Sequence, residues 1–315
     1  MAMIANQGGR ANPDEAVPPH YAGARGHVRA RANAEHFLSG QGLSLAALRD
    51  CVPTLAEGEL LMLIGSVPDG LANPLSDIDL LVVGPRRARG DLLLRDVEFE
   101  QTIERLASAH EVNVEYWTTE DLLDLAAKFE KMTLAFDRPE GIDDLIVLSE
   151  TQLRIIHCMA NGLVLSGDPS EWRVRFEKDR LINYLVIYFI SFYYTFAEDA
   201  VGQLLDEDLE SALANLRIAV DFMAGAELAA VGETNPYSKW RIKLLRRSID
   251  TLGRDVLSEY LDRLFPHRDT PRVFIDDTIA FCGSRIAHVL QNRPQIVPAA
   301  MALSARMRFV TSTDG

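Results

Sequence analysis

At 315 residues, 48% hydrophobic and 25% charged, the chain has the apolar material for a full globular core and the length for two domains, which excludes a disordered protein. A formal net charge of -14 excludes a broad nucleic-acid surface, because neutralising phosphates needs a basic stripe, and it favours a neutral or cationic partner. Three cysteines, Cys51, Cys158 and Cys282, lie too far apart for a disulfide framework or a close-spaced zinc site, so a reducing cytoplasm is the expected location.

Residues 1–30 are rich in Ala, Gly, Pro and Arg and lack the apolar run of a signal peptide; a loose tail is expected there. Ser44 can cap a helix over Ser44 to Leu55. Leu60 to Ile64 has the apolar run of a short buried strand, and Ile78 to Val83 that of a second, stopped by Gly84-Pro85. Val97 to His110 has helical spacing. His110 to Trp117, "HEVNVEYW", alternates cleanly and predicts a third strand with Glu111, Asn113 and Glu115 on one face. Helical stretches are expected near Glu120 to Phe129 and Leu148 to Asn161, and "GLVLSGD" from Gly162 to Asp168 predicts a fourth strand.

Beyond Trp172 no strand pattern is found, and amphipathic spacing predicts helices over Asp208 to Ala226, Tyr237 to Leu252 and Thr278 to Gln291. Leu181 to Ala197, "LINYLVIYFISFYYTFA", is at the short limit for a membrane span and carries Asn, Ser, Thr and four tyrosines. Tyr184, Tyr188 and Phe192 recur every fourth residue as core positions do, so a buried helix is expected, with an aromatic homodimer interface as a second use and no membrane contact. The fold class is α+β: a mixed-sheet domain over residues 31–172, then an all-α domain over residues 173–315.

The chemistry concentrates in "GSVPDGLANPLSDIDLLV". On a strand, Asp77 and Asp79 share a face by the two-residue period. Two such carboxylates, with a third from another strand, suit a pair of magnesium ions, which take oxygen ligands and keep room for substrate phosphates. Gly65 lets backbone approach a phosphate closely, and the N–H and hydroxyl of Ser66 can donate to its oxygens. Ser76, with Asn73-Pro74, shapes the approach to Asp77. His157 is read as structural, and Arg241, Lys243, Arg246 and Arg247 as a solvated basic face. The acidic cluster Glu198, Asp199, Asp206, Glu207, Asp208 and Glu210 would favour a cationic acceptor if it borders the cleft.

The run Ile64-Gly65-Ser66, ten residues, then Asp77-Ile78-Asp79-Leu80 resembles the nucleotidyltransferase superfamily related to DNA polymerase beta. Within it the nearest likeness is to bacterial antibiotic adenylyltransferases of the aminoglycoside type and to minimal nucleotidyltransferases. The resemblance implies that Gly65 and Ser66 hold nucleotide phosphates and that Asp77 and Asp79 bind Mg²⁺. It makes Glu115, with Glu111 as the alternative, the third metal carboxylate and base, and offers Lys239 as a triphosphate contact. The loop departs from the family pattern: minimal members carry an Ala-Arg pair before the glycine, where this chain has Asp69.

The activity so implied is Mg²⁺-dependent transfer of a nucleoside monophosphate, AMP from ATP as the leading case, to a small-molecule acceptor with release of pyrophosphate. Antibiotic modification and metabolite biosynthesis share that donor chemistry. The alternatives are AMP transfer to a partner protein, as in toxin-antitoxin pairs, and an inactive NTP-binding regulator.

Overall fold

The computed structural model describes residues 20–52, 55–85, 92–95, 99–105, 111–134, 148–265 and 273–305. Helices α1 (His20–Gly40) and α2 (Leu45–Asp50) precede strand β1 (Leu60–Ile64), the short helix α3 (Ser66–Asp69) and strand β2 (Ile78–Gly84). Strands β3 (Leu92–Arg95), β4 (Glu100–Arg105) and β5 (Glu111–Thr118) follow, then helices α4 (Thr119–Leu134) and α5 (Glu150–Asn161) and strand β6 (Leu163–Ser166). The six strands form one sheet in the order β3-β4-β5-β2-β1-β6. Among the described residues only β2 and β5 pair in parallel, so the sheet is mixed.

Strand periodicity divides the apolar residues between two cores. Leu61, Leu63, Leu80, Val82, Val112 and Val114 face α1 and α2, where they pack on Ala34, Leu38 and Leu48. Their neighbours Met62, Ile64, Leu81, Val83 and Trp117 face the opposite way, toward α4, α5 and the helices that follow β6. All five residues of β1 are buried, as a strand covered on both faces requires. Asp79 and Glu115 fall in phase with Leu81 and Trp117, so their strands direct them to the second face.

After β6 come α6 (Ser170–Arg175), α7 (Lys178–Leu205), α8 (Leu209–Ala230), α9 (Arg241–Arg247), α10 (Ile249–Leu252), α11 (Arg254–Leu264), α12 (Val273–Asn292) and α13 (Val297–Ser304). Helix α7 is long and apolar enough to cross a membrane by length and composition. Here it lies along α8, with Leu181, Leu185, Ile190 and Tyr193 in the core beside Ala219, Val220 and Met223. Tyr184 is buried and its hydroxyl accepts from the Leu148 amide at 3.2 Å. Tyr188 and Phe192 are only half-buried and pack on Phe222 and each other. No apolar gap separates sheet from helices: one core runs from Met62 and Leu81 through Phe129 and Phe176 to Leu185 and Met223.

Three expectations need correction. Glu100 to Arg105, given helical spacing, is a strand paired antiparallel to β5; Thr102 and Ile103 are β-branched, and pairing there covers what would otherwise be the bare edge of β5. Residues 96–98 and 106–110 of that stretch lie outside the described residues. Residues 20–30, expected as tail, belong to α1, whose Ala30 and Ala34 are buried against the sheet; residues 1–19 lie outside the described residues. The basic run on α9 is more than a solvated face, while His157 takes the structural place expected of it. His157 Nε2 donates to Asp69 Oδ2 at 2.9 Å, since a carboxylate only accepts, and its Nδ1 meets the Thr234 hydroxyl at 2.9 Å. Asn235 Nδ2 donates to the same Asp69 oxygen at 2.8 Å. Arg247 donates to the Asp69 carbonyl at 2.5 Å while pairing with Glu233, and Lys243 Nζ donates to the Leu71 carbonyl at 2.7 Å.

The helices thus hold the loop between β1 and β2 at its far end. Burial alone would push the Asp69 carboxyl up; His157 beside it, joined by Asn235 and Arg247, holds it below the usual carboxylate range. A lowered acid stabilises the fold fully above its unfolded value, about pH 4, and that contribution fades as the pH falls through the folded value. Asp69→Asn is expected to cost about 3 kcal/mol in urea unfolding at pH 7, with the gap to the wild type narrowing below about pH 4; a gap unchanged down to pH 3 would contradict this role.

Candidate active site

The turn after β1 begins at Gly65, whose φ of 75° and ψ of -148° lie where an L side chain is strained. A Cβ placed there would stand 2.9 Å from Asp79 Oδ2. The glycine therefore serves two needs, the turn itself and the close approach of backbone to a carboxylate. Pairing of Ile64 with Asp79 across β1 and β2 sets that approach. At the other end of α3, Gly70 is left-handed, and the Leu71 and Ala72 amides donate back to the Ser66 carbonyl at 2.9 and 3.1 Å. Asn33 of α1 donates to the Pro68 carbonyl at 3.0 Å, so the loop is gripped from both sides of the sheet.

The approach to the aspartates is a closed turn. Asn73 Oδ1 accepts from the Leu75 amide, and Ser76 Oγ accepts from the Asn73 amide at 2.8 Å, so Ser76 fixes the chain entering β2. Asp77 is exposed just before the strand, and Asp79 is half-buried on it. In β5, Asn113 stands level with Asp79 and donates to its Oδ1 at 3.0 Å, while Glu115 stands level with Leu81. Burial pushes the Asp79 carboxyl above the usual range; Glu115 and Asp77 push the same way, against the Asn113 hydrogen bond. The site thus holds more negative charge than its own hydrogen bonds satisfy.

Glu115 is buried, and its Oε2 accepts from Arg154 Nη2 of α5 at 2.8 Å. Burial works against a charge on Arg154, and Glu115 outweighs it. The guanidinium also lies 5.8 Å from the centre of the Phe99 ring, which stacks on Trp117. Arg154 is a site residue that the sequence analysis missed: it lies 39 residues from Glu115, on a helix identified only by its periodicity. Tyr237 borders the same group and is pushed up to about 12 by burial, against the pull of Arg154.

The expected site residues are not all gathered. Gly65, Asp79 and Glu115 face one region, with Asp77 and Ser66 at its edge. Among the described residues no three His, Cys, Asp or Glu side chains stand close enough to hold a metal, and Glu115 is paired with Arg154. The donor set is nonetheless all oxygen, and Gly65 puts no side chain beside Asp79 Oδ2, which suits a hard cation that Asp77 and Asp79 would hold. Glu111 is exposed at the start of β5, beyond Asn113. Lys239 is exposed with its Nζ 5.2 Å from the Tyr237 ring centre and 5.4 Å from that of Trp240. The bases that do reach the loop are Lys243 and Arg247.

Residues 45–139 match the family model described as a nucleotidyltransferase domain. The matched stretch runs from α2 past α4 and contains Gly65, Ser66, Asp77, Asp79 and Glu115. No curated protein matches the chain. The chain therefore carries an N-terminal nucleotidyltransferase domain with a mixed sheet, followed by a mostly helical region.

Gly65→Ala is expected to lower stability by about 2 kcal/mol through backbone strain and crowding of Asp79. Adding Asp79→Ala removes the crowded oxygen and should recover part of that loss. Urea unfolding of both single variants and the double tests it, and strict additivity would show that no crowding exists.

Proposed function

We propose that the protein transfers a nucleoside monophosphate from a nucleoside triphosphate, AMP from ATP as the leading case, to a small-molecule acceptor and releases pyrophosphate. The observation that carries this reading is Asp79 held beside the glycine turn, with Asp77 just ahead of its strand, within a stretch that matches a nucleotidyltransferase domain. Gly65 and Ser66 would receive the phosphates, and Asp77 and Asp79 would hold Mg²⁺. When bound, the ion would neutralise phosphate charge and the charge that develops on the leaving pyrophosphate.

The chain's own residues have separate tasks. Gly65 keeps Asp79 Oδ2 unobstructed, and Asn113 holds the other oxygen so that the carboxylate keeps one orientation. Arg154 fixes Glu115 through Oε2, which leaves Oε1 to accept the proton of the acceptor's nucleophile. The helical region forms the opposite wall, and Lys239, if swung from its aromatic neighbours, would meet the triphosphate.

With Mg²⁺ and each of the four nucleoside triphosphates, pyrophosphate release should depend on an acceptor, and mass spectrometry should find that acceptor nucleotidylated. Asp77→Asn and Asp79→Asn should each lower release by about a thousandfold with unchanged far-UV circular dichroism. Glu115→Gln should lower it by about a hundredfold. Near-normal release by either aspartate variant would rule the mechanism out.

A further inference from the structure

A cavity of about 680 Å³ opens in the helical region, a size that fits a drug-like molecule. Helices α5, α7 and α8 and residues 236–242 enclose it. Its body is aromatic and aliphatic: Tyr188, Phe189, Phe222 and Phe265 contribute rings, and Phe222 is itself buttressed by stacking on Phe192 at 5.0 Å. Arg217 and Arg241 balance Glu150 and Asp221 in its lining, so the cavity carries no net charge. None of the acidic cluster between Glu198 and Glu210 lines it.

One buried polar group stands in its lining. Arg241 is 2% exposed, with its guanidinium 4.8 Å from the centre of the Phe189 ring. Its Nε stands 3.5 Å from Asp221 Oδ1 and makes no proper hydrogen bond. Asp221 is meanwhile committed through Oδ2 to the Ser238 hydroxyl at 2.8 Å. A buried guanidinium is costly unless well paired, and an oxygen on the cavity side of the group would add to its pairing with Asp221.

The cavity also shares elements with the catalytic face. Glu150 and Leu153 in its wall lie on the helix that carries Arg154, and Pro236 and Ser238 flank Tyr237, the neighbour of Arg154 and Glu115. A second cavity, about 570 Å³ beside Asp69, also touches the Arg154 helix through His157, but two of its bases are already engaged: Arg247 is taken by Glu233, and Arg293 reaches Asp179 and the Ala230 carbonyl.

We propose that the 680 Å³ cavity seats the acceptor, a ring compound with a flat apolar body, an oxygen that meets Arg241 and a hydroxyl presented at the Tyr237 end. This rests on the nucleotidyl-transfer reading and specifies its substrate class: uncharged or singly anionic and aromatic, in place of the polycation that the acidic composition suggests. The acceptor hydroxyl oxygen bonds to the α-phosphorus as the bond to pyrophosphate breaks, and the hydroxyl proton passes to Glu115 and on to solvent. No redox change is involved.

The test uses a fluorescent hydroxynaphthoic acid as probe, with kanamycin as the cationic comparison, on the full chain and on Ala214→Trp. Ala214 is exposed on α8 and lines the cavity, so tryptophan there fills the space at no cost to the core. The wild type should bind the probe and release pyrophosphate in its presence, and Ala214→Trp should weaken binding by about tenfold or more while the KM for the nucleotide stays unchanged. No binding, or equal binding by Ala214→Trp, overturns the cavity assignment, and release with kanamycin would then leave nucleotidyl transfer standing. Cavity-dependent binding with no pyrophosphate released from any nucleotide by either compound or by a metabolite pool would instead overturn nucleotidyl transfer, and the acceptor role with it.

Discussion

The buried carboxylate of Asp69 is the constraint on which the arrangement turns. It accepts from His157 and Asn235, and the carbonyl of the same residue accepts from Arg247. Its side chain is only 11% exposed, so the charge is tolerable only because those donors converge on it. One end of the Gly65–Gly70 turn is therefore fixed by the helices and the other by strand pairing, which leaves Gly65 little freedom beside Asp79. In the proposed function this turn would receive phosphates, and being rigid before the ligand arrives would serve that role.

A second constraint is the allocation of faces. Because β1 and β2 are covered on both sides, their alternating residues had to serve two cores, and Asp79 occupies what would otherwise be a core position. Glu115 does the same in β5. The polar positions cost apolar contact on that face, and the structure offsets the loss locally: Asn113 satisfies Asp79, and Arg154 both pairs with Glu115 and covers Phe99. Such a cluster, over-charged around Asp79 and balanced around Glu115, is the pattern expected of a functional site.

Much of this was legible in the sequence because it depends on short-range patterns. The strands around the glycine turn, the place of Asp79 on the second of them and the end of strand structure before Trp172 follow from period-two alternation and turn residues. What escaped was long-range. Strand β4 was misread because its apolar spacing suits a helix and only its pairing with β3 and β5 decides the matter. Asp69 stood out only as an oddity where a basic residue was expected, since its partners are brought close by tertiary packing alone. Arg154 and Arg241 sit on ordinary helix faces, and nothing local marks either as buried beside aromatic rings. The cavity is assembled from several elements and has no sequence signature at all.

The separations along the chain carry a consequence for how the protein is made. His157, Asn235 and Arg247 follow Asp69 by 88, 166 and 178 residues. A ribosome delivers the whole sheet well before the last of these partners emerges, so the nascent N-terminal region holds its aspartates and glycine turn while the far end of that turn is still loose. The final geometry arrives only when α9 docks. Synthesis thereby keeps the nucleotide turn unfinished until the helices that wall it are present, and a truncated product would carry the motif without the grip that shapes it.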